Sequence, residues 1–340
     1  MVSIKDVAKL AGVSTATVSR ALTEPDKVVA KTREKVLRAV EQSGYVANTL
    51  ARNFRTRKTN MVLVLVPDIT NVFFASVIQG IEWVAHRNNY RVLLGDTQYN
   101  PEGERAYAEL VAQKQADAVI TLGCNIPFPY RAGRKTMDPN WPPFSMACEY
   151  NSDIPVPTVC IDNEQAASEV IEYLSSLGHE RIAFINGPAG SPICRDRLRG
   201  YKKSMRSNGV TDTRQLVIAG DFSIASGRMS MKKLLSLDAI PSAVFAANDE
   251  MAMGAMTEIK AHGLRIPEDI SIVGFDDIRF AEVTDPPLTT VRQPRHDMGK
   301  RVMTMMLGLL RGELARPQHV ILPHELIVRG SACMRSNNGQ

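Results

Sequence analysis

The spacing of apolar residues changes character near residue 60. Before it, they recur three and four apart. Ile4, Val7, Ala8 and Ala11 mark one face of a short helix, and Gly12 interrupts the pattern. Ser14 is a good cap for a second helix with Val18, Ala21 and Leu22 inside. A third helix takes Thr32 as its cap and Val36, Leu37 and Val40 as its stripe. Gly44 ends it as a left-handed cap. Two short helices across a glycine turn make a helix-turn-helix, and the third completes a small bundle.

From Met61 on, strand-like apolar runs alternate with amphipathic helices. One series is Met61–Val66, Arg91–Gly95, Ala118–Leu122, Phe144–Cys148 and Thr158–Ile161. A second is Arg181–Ile185, Leu216–Ala219, Ala243–Ala246 and Ile270–Val273. Between them lie helical patterns such as Phe74–Asn88, Gly103–Gln113, Ala166–Leu177, Leu198–Asn208, Ala225–Leu235 and Glu250–Ala261. Alternating strand and helix predicts an α/β class with parallel sheets covered on both faces, here in two lobes with a cleft between them. Leu288–Pro294 and His319–Val328 read as late strands crossing back between lobes. The Met-rich helix Met298–Arg311 reads as core.

Charge adds to this picture by its position. Residues 1–60 hold twelve Lys/Arg against five Asp/Glu, while the remaining 280 residues hold 29 against 31. A basic head on a near-neutral body predicts a polyanion-binding module joined to a separate domain. At the start of the second helix, Thr15, Ala16, Thr17 and Ser19 are small enough to enter a major groove. Arg20 there can reach a guanine edge. Composition is ordinary for a globular chain, with 44% hydrophobic and 23% charged residues, which excludes disorder as the main state. No apolar run approaches a membrane span, and no leader pattern opens the chain. The five cysteines are scattered with no C-x-x-C, which fits a reducing cytoplasm.

The run Ile4–Leu22, IKDVAKLAGVSTATVSRAL, resembles the opening of the lactose-repressor family of transcriptional regulators, and the resemblance continues along nearly the whole chain. It implies a helix-turn-helix DNA-binding domain at 1–47 and a hinge helix and linker at 48–59. A two-lobed, periplasmic-binding-protein-like effector and dimerisation domain would fill 60–340. Its first lobe would span about 60–161 plus 293–321, and its second about 162–292 plus 322–340. In the hinge, Asn48 caps a strip of Leu50, Ala51 and Phe54 among Arg52, Arg55 and Arg57. Such a helix is too short to stand alone in water. The resemblance implies that it pairs with its dimer mate and wedges Phe54, where leucine is usual, into the minor groove of a pseudo-palindromic operator. DNA contacts are therefore expected from Ser14, Thr15, Ala16, Thr17, Ser19, Arg20, Asn48, Leu50, Ala51, Arg52, Phe54 and Arg55. No leucine heptads follow Arg329, so a homodimer is expected rather than a coiled-coil tetramer.

The body carries none of the phosphate-loop, dinucleotide, zinc-protease or G-x-S-x-G signatures, and its six histidines are scattered. Neither enzyme activity, a metal nor a cofactor is expected. Asp68, Asp96, Glu149, Asp162, Asp249 and Asp276 fall at strand ends, where open α/β sheets bind ligands. By resemblance, the effector residues are Phe73, Phe74, Glu149, Arg197, Phe222, Asn248, Asp249 and Asp276. Two flat aromatics with an arginine and acids suit a planar heterocycle or a furanose. Ser191 and Ile193 stand where a purine-binding relative has an arginine and a threonine, which argues against a free purine base. Val66–Phe74, Leu93–Asp96 and Asp285–Pro294 are among the stretches most similar to cytidine-responsive members of the family. A nucleoside effector is expected, with a sugar or sugar derivative as the alternative. A small-molecule binding protein without a regulatory role is the remote rival.

Overall fold

Ser3 starts the first helix, α1 (Ile4–Ala11), by donating from its backbone N–H and its Oγ to Asp6 at 2.8 and 2.7 Å. These bonds hold the exposed Asp6 carboxyl below its usual range. Gly12 takes φ +64°, and the Val13 N–H then closes on Ala8 O. Ser14 caps α2 (Thr15–Thr23), its Oγ accepting from Thr17 N at 3.1 Å. In this computed structural model, residues 2–45, 58–130, 138–314 and 317–335 are described, in two units, Met1–Lys58 and Thr59–Gln340. The predicted hinge, with Asn48, Leu50, Ala51, Arg52, Phe54 and Arg55, lies outside the described residues.

The first unit packs Val7, Ala8, Val18, Ala21, Val36 and Ala39 into one core. Two expectations fail in its third helix, α3 (Ala30–Ser43). Its N-cap is Val29 rather than Thr32, because the N–H groups of Thr32 and Arg33 already bond to Val29 O. Leu37 is exposed, and Ala39 takes the place in the core that the pattern gave it. The stripe packed into the core is Val36, Ala39 and Val40, because the small alanine faces the first two helices while the larger leucine turns to solvent.

The second unit contains two six-stranded sheets. The first has the order β11-β5-β4-β3-β1-β2 and the second β12-β10-β9-β8-β6-β7. In chain order the first uses β1 (Met61–Val66), β2 (Arg91–Asp96), β3 (Ala118–Thr121), β4 (Phe144–Ala147) and β5 (Thr158–Ile161). The second uses β6 (Ile182–Asn186), β7 (Val217–Ala219), β8 (Ala243–Ala246), β9 (Ser271–Asp276) and β10 (Thr289–Arg292). All pairings are parallel except β10 with β12. Central strands such as β1 and β8 are covered on both faces, which is why they read as unbroken apolar runs. The predicted strand His319–Val328 is really two, β11 (His319–Leu322) and β12 (Glu325–Ile327), one in each sheet. Pro323 lies between them and has no N–H to continue a ladder. The chain thus passes between lobes after β5, after β10 and after β11.

Helices α4 (Val72–Arg87), α5 (Pro101–Ala112) and α10 (Arg295–Arg311) cover the first sheet. Helices α6 (Asn163–Ser176), α7 (Pro192–Ser207), α8 (Ile224–Leu235) and α9 (Asp249–Ala261) cover the second. Helix α7 begins six residues before the predicted Leu198, with Pro192 in its first turn. Met298, Met303, Met305 and Met306 of α10 are buried in the first lobe's core, and Ile278 of the second lobe joins them there. No helix among the described residues is long and apolar enough to cross a membrane.

Helix pairs in both lobes meet backbone to backbone. A Cβ on Gly80 of α4 would lie 2.1 Å from His296 O, and one on Gly299 of α10 would lie 2.0 Å from Val77 O. Gly227 and Gly254 do the same for α8 and α9, at 2.2 Å from Met251 O and 2.0 Å from Ile224 O. Gly308 of α10 differs, since its Cβ would meet only Leu314, at 3.5 Å and beyond. Gly299→Ala should therefore destabilise the body by about 1–3 kcal/mol through overpacking. Gly308→Ala should be neutral or stabilising by up to about 1 kcal/mol. Urea unfolding midpoints check both, and equal effects would contradict this packing account.

Candidate DNA-binding surface and effector cleft

In the first unit, α2 turns Thr15, Ala16 and Arg20 outward while Val18 and Ala21 hold the helix to its core. Ser14 and Thr17 share a hydroxyl–hydroxyl contact of 2.9 Å at the cap. Ser19 is half-buried on the same helix. The exposed face is made of short side chains with one long cation, which suits close approach to a groove floor.

In the second unit, residues at the carboxyl ends of strands from both sheets come together around Arg197. Arg197 of α7 is only 2% exposed. Its Nε donates to Asn163 Oδ1 at 2.9 Å and one terminal nitrogen donates to Ala247 O at 2.5 Å. Its guanidinium carbon sits 3.6 Å over the Phe275 ring. Desolvation lowers its affinity for the proton, against the pull of Asp276, Cys194 and Glu149. Asp276 ends β9 and accepts from Gln293 Nε2 at 2.7 Å. Burial pushes its carboxyl up to about 6, with Arg197, Gln293 and Arg295 offsetting part of the shift.

Glu149 comes from the other lobe, after β4. Burial raises its carboxyl, and Cys124, Ser191 and Arg197 lie near enough to offset some of that rise. Glu149 Oε2 and Ser191 Oγ are both buried and close to each other, yet neither has a hydrogen-bond partner of good geometry within the protein. Ser191 is the N-cap residue of α7, yet its hydroxyl does not cap the helix. Buried polar atoms without partners are costly and uncommon, and here two lie together at the cleft.

Backbone strain gathers at the same strand ends. Tyr99 after β2, Cys148 after β4, Phe222 after β7, and Asp276 and Asp277 at the end of β9 all have φ between +50° and +109°. Non-glycine residues avoid this region, and such strain concentrates at functional sites. Phe222 is half-buried against Gly187, where a Cβ would come within 2.6 Å of its ring and of Cys194 Sγ.

The remaining expected residues are tied into the fold. Phe73 and Phe74 are 6% and 7% exposed, pack edge to face at 5.2 Å, and belong to the first lobe's core. Asn248 spends its amide on Met251 N and Phe222 O, so it positions Phe222. Asp249 is fully buried and accepts from Ile278 N and Thr290 Oγ1, at 2.8 and 2.5 Å. Its carboxylate ties the loop after β9 and the strand β10 to the start of α9. The adjacent acids Asp276 and Asp277 have different tasks. Asp277 binds Arg292 and Arg329, each at 2.7 Å, where the chain crosses between lobes. Burial opposes its charge, but these bonds hold it below the usual range. Sequence patterns pass over Tyr99, Asn163 and Gln293 as cleft residues. The sequence marks Ser191 only as a departure from a purine-binding relative, not as a ligand contact.

Two family models match the chain. One for bacterial regulatory proteins of the lacI family covers residues 3–48, and one for a periplasmic binding protein-like domain covers 171–332. The repressor CytR of Escherichia coli K12 is 41% identical over 329 residues, 97% of this chain and 96% of that protein. The chain belongs to the LacI family. Among solved structures, the lac repressor dimer bound to operator and an anti-inducer superposes with a TM-score of 0.85 at 27% identity, covering 98% of this chain and 99% of that one. A family regulator from Enterococcus faecium with bound ribose superposes at 0.70 and 26% identity, covering 81% and 100%. As a member of this family the chain is a transcriptional regulator and not an enzyme.

The Asp276 shift predicts a pH dependence. Its folded value, about 6, lies above the ordinary 3.8, so between these values the native state holds a proton that the unfolded chain releases. Its contribution to stability is full below about pH 4 and is lost as pH rises through about 6. Asp276→Asn should remove that slope, which unfolding midpoints from pH 4 to 7 would reveal. Parallel curves for the two proteins would refute the assignment.

Proposed function

We propose that this regulator represses transcription as a homodimer whose operator affinity is set by a nucleoside held in the cleft of its second unit. In this reading residues 1–47 read the major groove and 48–59 form the hinge. Residues 60–340 bind the effector and dimerise, and Phe54 is the minor-groove wedge. Ser14, Thr15, Ala16, Thr17, Ser19 and Arg20 would meet a pseudo-palindromic operator. It works where the chromosome is, in the cytoplasm.

The observation that carries the effector half is the pair of unsatisfied buried atoms, Glu149 Oε2 and Ser191 Oγ, beside the sealed Arg197. An uncharged ligand rich in hydroxyl and amino donors answers them, and a ribose with an amino-bearing base supplies both. Phe222 offers a flat apolar side chain at the same cleft. The likeness to cytidine-responsive members and the ribose held by a structural relative point the same way. The second reading is a free sugar, which the ribose complex also favours.

Gel shifts on DNA upstream of the gene, with cytidine, adenosine or ribose added, test the whole reading. Specific binding that no nucleoside alters, but a sugar does, would select the second. Arg20→Ala should cost about 1–3 kcal/mol of operator affinity and relax preference at one base pair per half-site. A loss that is uniform over all sequences would make Arg20 a phosphate contact. Arg197→Ala should lose the nucleoside response while keeping operator binding, because the two sites lie in separate units. A variant that still answers cytidine normally would remove Arg197 from the site.

A further inference from the structure

One contact between the lobes does no work in the effector reading. Tyr150 follows Glu149 in the chain, and Asp196 precedes Arg197. Tyr150 belongs to the loop between β4 and β5 of the first sheet, and Asp196 to α7 on the second. The Tyr150 hydroxyl donates to Asp196 Oδ2 at 2.8 Å. The other Asp196 oxygen accepts from Arg199, whose Nε donates to Glu164 Oε2 at 2.8 Å. The Asp196 carboxylate is buried and fixed from its own lobe by Arg199 and Glu164, so it presents a rigid acceptor to Tyr150.

We propose that the Tyr150–Asp196 hydrogen bond is a latch across the lobes that positions Glu149 and Arg197 for a single effector. Tyr150 is then a positioning residue, and the inference rests on the effector reading of Glu149 and Arg197. Successive helical residues point about 100° apart, so Asp196 can hold the first lobe without entering the space that Arg197 faces. A hydrogen bond to a charged group is stronger than a neutral one, so this bond biases the lobes toward the joined arrangement. A ligand that touches both lobes binds that arrangement best, and its apparent affinity scales with the fraction already joined. Burial, followed by the bond to Asp196, pushes the Tyr150 phenol up to about 12. Its proton therefore stays in place near neutral pH.

Tyr150→Phe deletes the hydroxyl and keeps the ring, and the full-length protein is compared with and without cytidine. In ligand-free protein, the amides of 148–152 and of the first turn of α7 should exchange several-fold faster than in wild type. The global unfolding midpoint should move little. Saturating cytidine should restore wild-type exchange, at an apparent Kd weakened about tenfold. Asp196→Ala should weaken binding similarly, and the double variant should be no worse than either single one. Unchanged exchange in ligand-free Tyr150→Phe, or losses that add in the double variant, would overturn the latch. If wild type fails to bind cytidine, the nucleoside reading falls, and the ligand-free exchange still judges the latch by itself.

Discussion

A guanidinium that is 2% exposed at the junction of two lobes sets the terms for the residues around it. Taking such a charge out of water costs several kcal/mol unless geometry and hydrogen bonds repay it. The surroundings of Arg197 do so from many directions. Asn163 opens α6 directly after β5, Ala247 follows β8, and Phe275 and Asp276 end β9. The carboxyl ends of three strands, from both sheets, therefore converge on one cation. Glu149 adds a charge from the first lobe. The electrostatic centre and the mechanical junction coincide, so whatever changes the charge balance also acts on the lobes.

Rigid lobes are the second requirement. Gly80 with Gly299, and Gly227 with Gly254, let helix backbones touch, leaving little freedom for helices to slide within a lobe. Among the described residues, the chain joins the lobes only where it crosses, after β5, β10 and β11. There Asp277 binds Arg292 and Arg329, and Arg295 donates to the Asp277 carbonyl at 2.5 Å. A ligand held at Asp276, as proposed, would act one residue from the anchor of the crossing strands and so bear on lobe geometry without a long relay.

The fold was legible in the sequence where burial is simple. Met61–Val66 reads as a covered strand because both of its faces are apolar, and the α10 methionines read as core because they form an apolar stripe on one face of a helix. Legibility failed where one residue carried the decision. Pro323 divides what looks like a single strand between two sheets, and the rotation of α3 trades Leu37 for Ala39. At the cleft, Asp276 is a candidate from its place at a strand end and Arg197 from the family resemblance. Asn248 and Asp249 looked the same from sequence, but their hydrogen bonds turn back into the lobe. Phe73 and Phe74 lie in the first turn of α4 and pack into the first lobe's core. Resemblance alone places Ser191 at the cleft, and the structure adds that its hydroxyl does not cap the helix it precedes.

The cleft holds features that a protein selected for stability alone would remove. Five non-glycine residues with positive φ each cost of order 1–3 kcal/mol, and two buried polar atoms lack partners. Two raised carboxyls, Glu149 and Asp276, resist ionisation in the same space. A ligand shifts an equilibrium only by its differential affinity for the two states. Backbone strain within one lobe is the same in either state, whereas Glu149 and Ser191 come from different lobes. A ligand that answers both atoms at once would favour the joined arrangement by the hydrogen bonds it completes there.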